Sequence, residues 1–181
     1  DKKAVSETLN TALGMSVLFG VLCGAAGFIL SGSVLRFMGN SGKLYELALL
    51  YTRLYFVGVP FVSVVNFSSS LLHASGDTKT PMKMLTLGGA VNVVLTLFFV
   101  LVCGRSVDGV AAATVLSNAL CALLFVRKLM KSELFQLKLS QIGIRKTPFL
   151  KILHIGLPAG VQSMLFSVSH MLIQSSVITV N

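Results

Sequence analysis

The chain has 181 residues, of which 54% are hydrophobic and 12% charged, with a formal net charge of +9. Soluble domains carry about 25% charged residues, so the composition excludes an ordinary soluble fold and points to a polytopic membrane protein whose first partner is the lipid bilayer. No basic cluster is interleaved with aromatic residues, which excludes nucleic acid as a partner and leaves the positive charge as basic loops on one membrane face.

Five uncharged runs follow one another along the chain: Leu9–Leu35, Leu54–Leu72, Met84–Gly104, Gly109–Val126 and Ile155–Asn181, the last broken by His170 alone. Each meets or approaches the roughly 20 residues that a helix needs to cross about 30 Å of hydrocarbon. Period-two alternation is absent, which argues against a β-barrel. Backbone polar groups must be satisfied internally in lipid, so the runs are expected to be helices. The fold class is therefore all-α, a transmembrane helix bundle.

In the first run Gly20, Gly24 and Gly27 fall on roughly one face, as do Gly109, Ala112, Ala113 and Ser117 in the fourth. Small residues let helix backbones approach where no hydrophobic drive pulls helices together. Pro60 in the second run and Pro158 in the fifth each remove a backbone hydrogen bond and are expected to kink their helices. Such kinks either line a transport cavity or serve packing. The second and third runs are joined by Gly76-Asp77-Thr78-Lys79-Thr80-Pro81. Gly76 can take positive φ and end a helix; Thr80 is expected to cap the next one, with Pro81 at its first position. Between Lys131 and Lys151 the composition turns basic and mixed, with Gly143 and Pro148. This stretch is either a boundary between two bundles or an ordinary basic loop, and Thr147-Pro148 looks like the cap and first turn of the fifth helix.

Lysines and arginines alternate between the loops. Eleven fall on one side, among them Lys79, Lys83, Arg127, Lys128 and Lys131, against Arg36, Lys43, Arg53 and Arg105 on the other. The richer side is expected to be cytoplasmic. Cys23, Cys103 and Cys121 lie in apolar runs without CxxC spacing and are expected to be buried free thiols, with no metal site. The chain begins with Asp1, lacks a signal-peptide pattern, and stops inside an apolar run, so it is expected to be a fragment of a longer protein.

No Asp, Glu, Lys or Arg lies within the five runs, so recognition falls to neutral polar residues. Asn92 and Thr96, four apart, share a helix face. They could ligate a hard cation or a substrate, or simply make an interhelical hydrogen bond. Gln162, His170 and Gln174 form a stripe on the fifth helix and, with Asn66 on the second, are candidates for a cavity lining. His170 could titrate near neutrality or share one hydrogen bond as a buried neutral side chain. Neither GxSxG, HExxH nor paired acids at helical spacing occur, so no enzyme is expected and no cofactor is called for.

Taken in order, Tyr51–Pro60, the Gly76–Pro81 turn, Gly89–Thr96, Gly109–Thr114, Gly156–Gln162 and Ile173–Ser176 give a chain that resembles the multidrug and toxic compound extrusion (MATE) transporters. The resemblance covers most of the chain. It implies two six-helix bundles, with residues 1–131 supplying helices three to six of the N-terminal bundle, 132–147 the cytoplasmic link and 148–181 helix seven. It implies export of drugs or metabolites, small cationic or amphipathic compounds, across the plasma (inner) membrane by alternating access, driven by inward H+ or Na+. By this resemblance Asn92 and Thr114 match an Asn and a Thr of the family's N-bundle cation site. Thr96 stands where that site has an Asp, Phe166 where other members have a Glu, and His73 where an Arg often precedes the turn. Two rivals remain: a flippase for lipid-linked sugars, which would need Arg or Lys in its cavity to hold pyrophosphate, and a non-transporting membrane scaffold.

Overall fold

A computed structural model describes residues 2–37, 42–132, 143 and 146–179. Among them there are five long helices and no strand: α1 (Lys2–Phe37), α2 (Lys43–Ala74), α3 (Lys79–Leu97, continued by a π-helical turn over Phe98–Val102), α4 (Val107–Lys131) and α5 (Lys146–Thr179). All five are long and apolar enough to cross a membrane, as expected of a multi-pass membrane protein. The chain divides into two compact units, Asp1–Gly143 and Ile144–Asn181. Most of the proposed link 132–147 and the terminal Asn181 lie outside the described residues.

In the first unit α2 packs between α1 and α4, and α3 packs on α4. Leu9, Leu13, Val64, Val65, Leu72, Cys121, Ala122, Phe125 and Leu129 form the core of this unit, towards its basic end. The small residues do what membrane packing asks of them. A Cβ on Gly24 would lie 2.7 Å from the Phe56 carbonyl oxygen, one on Gly20 would lie 2.8 Å from the Pro60 Cα, and one on Gly27 would run into the Phe56 ring. The α1 glycine stripe is thus the seat of α2 around Phe56 and Pro60, and α2 continues as helix through Pro60. On α4, Gly109, Ala113 and Ser117 are buried, together with Ala111. A Cβ on Gly58 would meet Val115 Cγ2 at 3.2 Å, so α2 also packs closely on α4, though less tightly than on α1.

Three sequence expectations are corrected. First, α2 starts at Lys43, well before Leu54, and the apolar stretch Leu44–Ala74 includes Glu46 and Arg53. Arg53 bounds the uncharged run, but its guanidinium lies over the Phe28 ring at 5.1 Å, and that of Arg36 over the Tyr45 ring at 5.7 Å. A ring face accommodates such a cation beside an apolar helix surface. At 31 residues, α2 from Leu44 runs roughly 46 Å, longer than the bilayer core. Second, only Cys121 of the three is buried; Cys23 and Cys103 are exposed. Third, the turn before α3 is capped by Asp77 rather than Thr80. The Thr80 amide donates to Asp77 Oδ1 at 3.0 Å, and α3 begins at Lys79, so Pro81 is its third residue, within the first turn but not at the first position.

The same turn closes α2. Gly76 has φ +88°, its amide donates to the His73 carbonyl and the Asp77 amide to the Leu72 carbonyl, each at 3.0 Å. This is the paired closure of a Schellman motif, which satisfies carbonyls left over at a helix end. Hydrogen bonds from the Thr80 hydroxyl and amide, with the charge of Lys128 as a smaller influence, hold the Asp77 carboxyl below its usual 3.8. A carboxylate depressed in this way stabilises the folded turn above 3.8 and stops doing so as pH falls through its lower folded value. Hydrogen exchange at the Thr80 amide should therefore keep full protection from neutrality down to roughly pH 5 and lose it only in stronger acid. Protection that fades near neutrality would contradict the cap.

Candidate functional site

The third and fourth helices cross where both carry small residues. A Cβ on Gly88 of α3 would lie 3.1 Å from Cys121 Sγ of α4, so the helices nearly touch there. One turn further along α3, Asn92 faces Thr114 and Ser117 of α4. Its Nδ2 donates to Ser117 Oγ at 3.0 Å and to Thr114 Oγ1 at 3.4 Å. Both hydroxyls spend their own protons on α4: Thr114 donates to the Val110 carbonyl and Ser117 to the Thr114 carbonyl, each at 3.0 Å. With those protons committed, the hydroxyl oxygens accept from Asn92, and the network has one direction. A carboxamide has two donor hydrogens and an acceptor oxygen; here the donor side is turned to α4.

The bridge opens on a cleft of about 320 Å³ lined by Val65 of α2, Leu85, Gly88, Gly89 and Asn92 of α3, and Thr114, Ser117, Asn118 and Cys121 of α4. Cys121 is itself tied across, its Sγ lying 3.6 Å from the Met84 carbonyl. The cleft walls carry amide and hydroxyl oxygens but no charged side chain. Such a site can offer neutral oxygen ligands to a hard cation or hydrogen bonds to a polar group. It has no charge of its own to exchange for a proton.

The sequence-derived candidates separate on this geometry. Asn92 and Thr114 are brought together. Thr96 is half-buried one turn further along α3 and makes no side-chain hydrogen bond among the described residues. Asn66 is exposed on α2, one residue from the cleft-lining Val65. Gln162 and His170 are exposed on α5, in the second unit, and the side chain of Gln174 lies outside the described residues. Ser117, buried in the small-residue stripe of α4, is also the closer partner of Asn92, a role the sequence reading does not assign to it. Its spacing gave the signal: Thr114, Ser117, Asn118 and Cys121 recur at i, i+3, i+4 and i+7, one helix face.

The family model described as "Lipid II flippase MurJ" matches residues 1–180. Among curated proteins, "Probable multidrug resistance protein YpnP" of Bacillus subtilis (strain 168) is 30% identical over 98% of this chain and 40% of its own length. The lipid II flippase MurJ of Thermosipho africanus is 30% identical over 63% of this chain and 24% of its own length. A solved outward-facing structure of a multidrug resistance MATE family transporter of the MOP superfamily aligns with 94% of this chain and 38% of that one, at 26% identity and a TM-score of 0.82. The chain spans about 40% of the length of the first two curated relatives it matches.

Proposed function

The chain belongs to the transporter superfamily that joins the MATE multidrug exporters and the lipid II flippase MurJ, and on that footing we propose that it is part of a cation-coupled exporter of drugs or metabolites in the plasma membrane. In this proposal α1 to α4 belong to the N-terminal bundle and α5 opens the second, and the two bundles rock about a shared cavity in alternating access. The coupling ion, H+ or Na+, acts around Asn92, Thr114 and Thr96, where neutral oxygens suit Na+ directly and H+ coupling needs a titratable group from the rest of the protein. Gln162, His170, Gln174 and Asn66 are the candidates for substrate contact. The observation that carries the proposal is the Asn92 bridge to Thr114 and Ser117 beside an uncharged polar cleft. Interhelical polar bonds in membranes contribute only about 0.6–2 kcal/mol, so a bridge set at the mouth of a cleft is easily broken and remade during a transport cycle.

The match to the flippase model supports a second reading, translocation of a lipid-linked sugar pyrophosphate. That cargo calls for Arg or Lys in its cavity; small-molecule export is favoured because two multidrug resistance relatives each cover 98% of this chain and the flippase relative 63%. Reconstituting the full-length protein in liposomes separates the two. Gradient-driven accumulation of ethidium, without translocation of fluorescent lipid II, is the expected outcome. Lipid II translocation without ethidium flux would replace export with flipping, and neither activity would favour the scaffold.

A further inference from the structure

At the basic end of the first unit, α3 carries a continuous stripe that the transport proposal does not use. Lys79, Met82, Lys83, Thr86, Leu87 and Ala90 recur at i, i+3, i+4, i+7, i+8 and i+11, on one helix face. They line an open groove of about 520 Å³, and all six are exposed, Met82 at 72%. The eleven steps from Lys79 to Ala90 rise roughly 16 Å, about half of a 30 Å hydrocarbon core. The groove is thus one leaflet deep. Its mouth carries two ammonium groups, Thr86 sits one turn below Lys83, and its floor is apolar.

The charges at the mouth are uncompensated. Neither Lys79 nor Lys83 makes an ion pair among the described residues. The nearby carboxylate, Asp77, is engaged by Thr80 and feels Lys128 of α4. Lys128 and Lys131, in the last turn of α4, add positive charge at the same end of the unit.

We propose that this stripe is the seat of one anionic glycerophospholipid of the adjoining leaflet. Lys79 and Lys83 take the phosphate, Thr86 lies at the depth of the ester carbonyls, and an acyl chain lies along Leu87 and Ala90. Charge complementarity selects an anionic headgroup, and the depth of the groove selects a molecule with a chain rather than a free anion. Juxtamembrane lysines attract anionic lipid in this way. The site is separate from the Asn92 cleft and does not depend on what the protein exports.

The test is native mass spectrometry of the full-length protein released from nanodiscs of equal phosphatidylglycerol and phosphatidylcholine. The wild type should retain phosphatidylglycerol over phosphatidylcholine. Lys79→Gln with Lys83→Gln should lower that retention roughly fivefold per lysine, and Lys79→Arg with Lys83→Arg should preserve it. Leu87→Trp, which fills the groove and keeps both charges, should also lower retention; it decides the matter if the glutamine variant does not fold. Retention unchanged in the glutamine variant or in Leu87→Trp, or equal retention of the two lipids by the wild type, would overturn the proposal. So would displacement of the lipid by inorganic phosphate, which would mark a bare anion site. Displacement by a polyprenyl diphosphate at much lower concentration would overturn it in favour of a transported substrate.

Discussion

Gly24→Leu in the full-length protein should abolish recovery of folded, monodisperse transporter. Gly24 sits on α1 where a single added carbon would lie 2.7 Å from the Phe56 carbonyl oxygen. That oxygen is backbone and cannot rotate away, so the two helices must separate. Overpacking a well-filled core costs about 1–3 kcal/mol, and a leucine extends the clash by three further carbons. Helix separation here also releases the neighbouring contacts of Gly20 with Pro60 and of Gly27 with the Phe56 ring. In lipid no hydrophobic drive restores the contact, because tails are as apolar as the side chains. Gly32→Ala supplies the comparison: its Cβ would meet the Tyr45 hydroxyl at 3.3 Å and Leu49 Cδ1 at 3.9 Å, both ends of flexible side chains that can give way. Size-exclusion profiles and thermal unfolding should show loss for Gly24→Leu and near-native behaviour for Gly32→Ala. A native profile for Gly24→Leu would contradict the α1–α2 crossing.

Asn92→Ala should leave the protein folded but slow export by about tenfold or more, the kinetic equivalent of roughly 1.4 kcal/mol. The substitution removes both donated bonds, to Ser117 Oγ at 3.0 Å and Thr114 Oγ1 at 3.4 Å. Thr114 and Ser117 keep their bonds to α4 carbonyls, so neither hydroxyl is stranded and the structural cost stays near the low end for membrane hydrogen bonds. What is lost is the only carboxamide that spans α3 and α4 at this cleft. Ser117→Ala removes the shorter of the two bonds and should weaken export in the same direction, by less, because Thr114 still accepts. Thr96→Ala, with no hydrogen bond to Asn92 or α4, should have the smallest effect of the three.

Much of the architecture was legible because membrane helices obey few rules. Five apolar runs correspond to five helices, and the α1 glycines at roughly one turn's spacing mark a close helix contact. The Gly76 turn also read correctly as a helix end, since positive φ selects glycine. The helix starts read less well. Arg53 ended the uncharged run, yet α2 passes through it because the Phe28 ring, distant in sequence, takes up the cation. At the turn, Asp77 and Thr80 both suit a cap, and only the backbone decides which of them accepts.

The site was half legible. The resemblance brought out Asn92 and Thr114, but the sequence offers no way to know that the donor side of Asn92 faces α4, or that Ser117 rather than Thr96 is its partner. Those facts depend on the rotation of α3 against α4, which is fixed by the approach of Gly88 to Cys121. Helix faces follow from spacing, whereas the partner of a face follows from packing.

The central claim is that the Asn92 bridge couples an ion gradient to export. Its most direct test is ethidium transport by the full-length protein in liposomes, with imposed H+ or Na+ gradients, for the wild type and for Asn92→Ala at matched incorporation. The account predicts gradient-driven transport by the wild type and loss of the gradient dependence, with folding intact, in the variant. Undiminished gradient-driven transport by Asn92→Ala would contradict it.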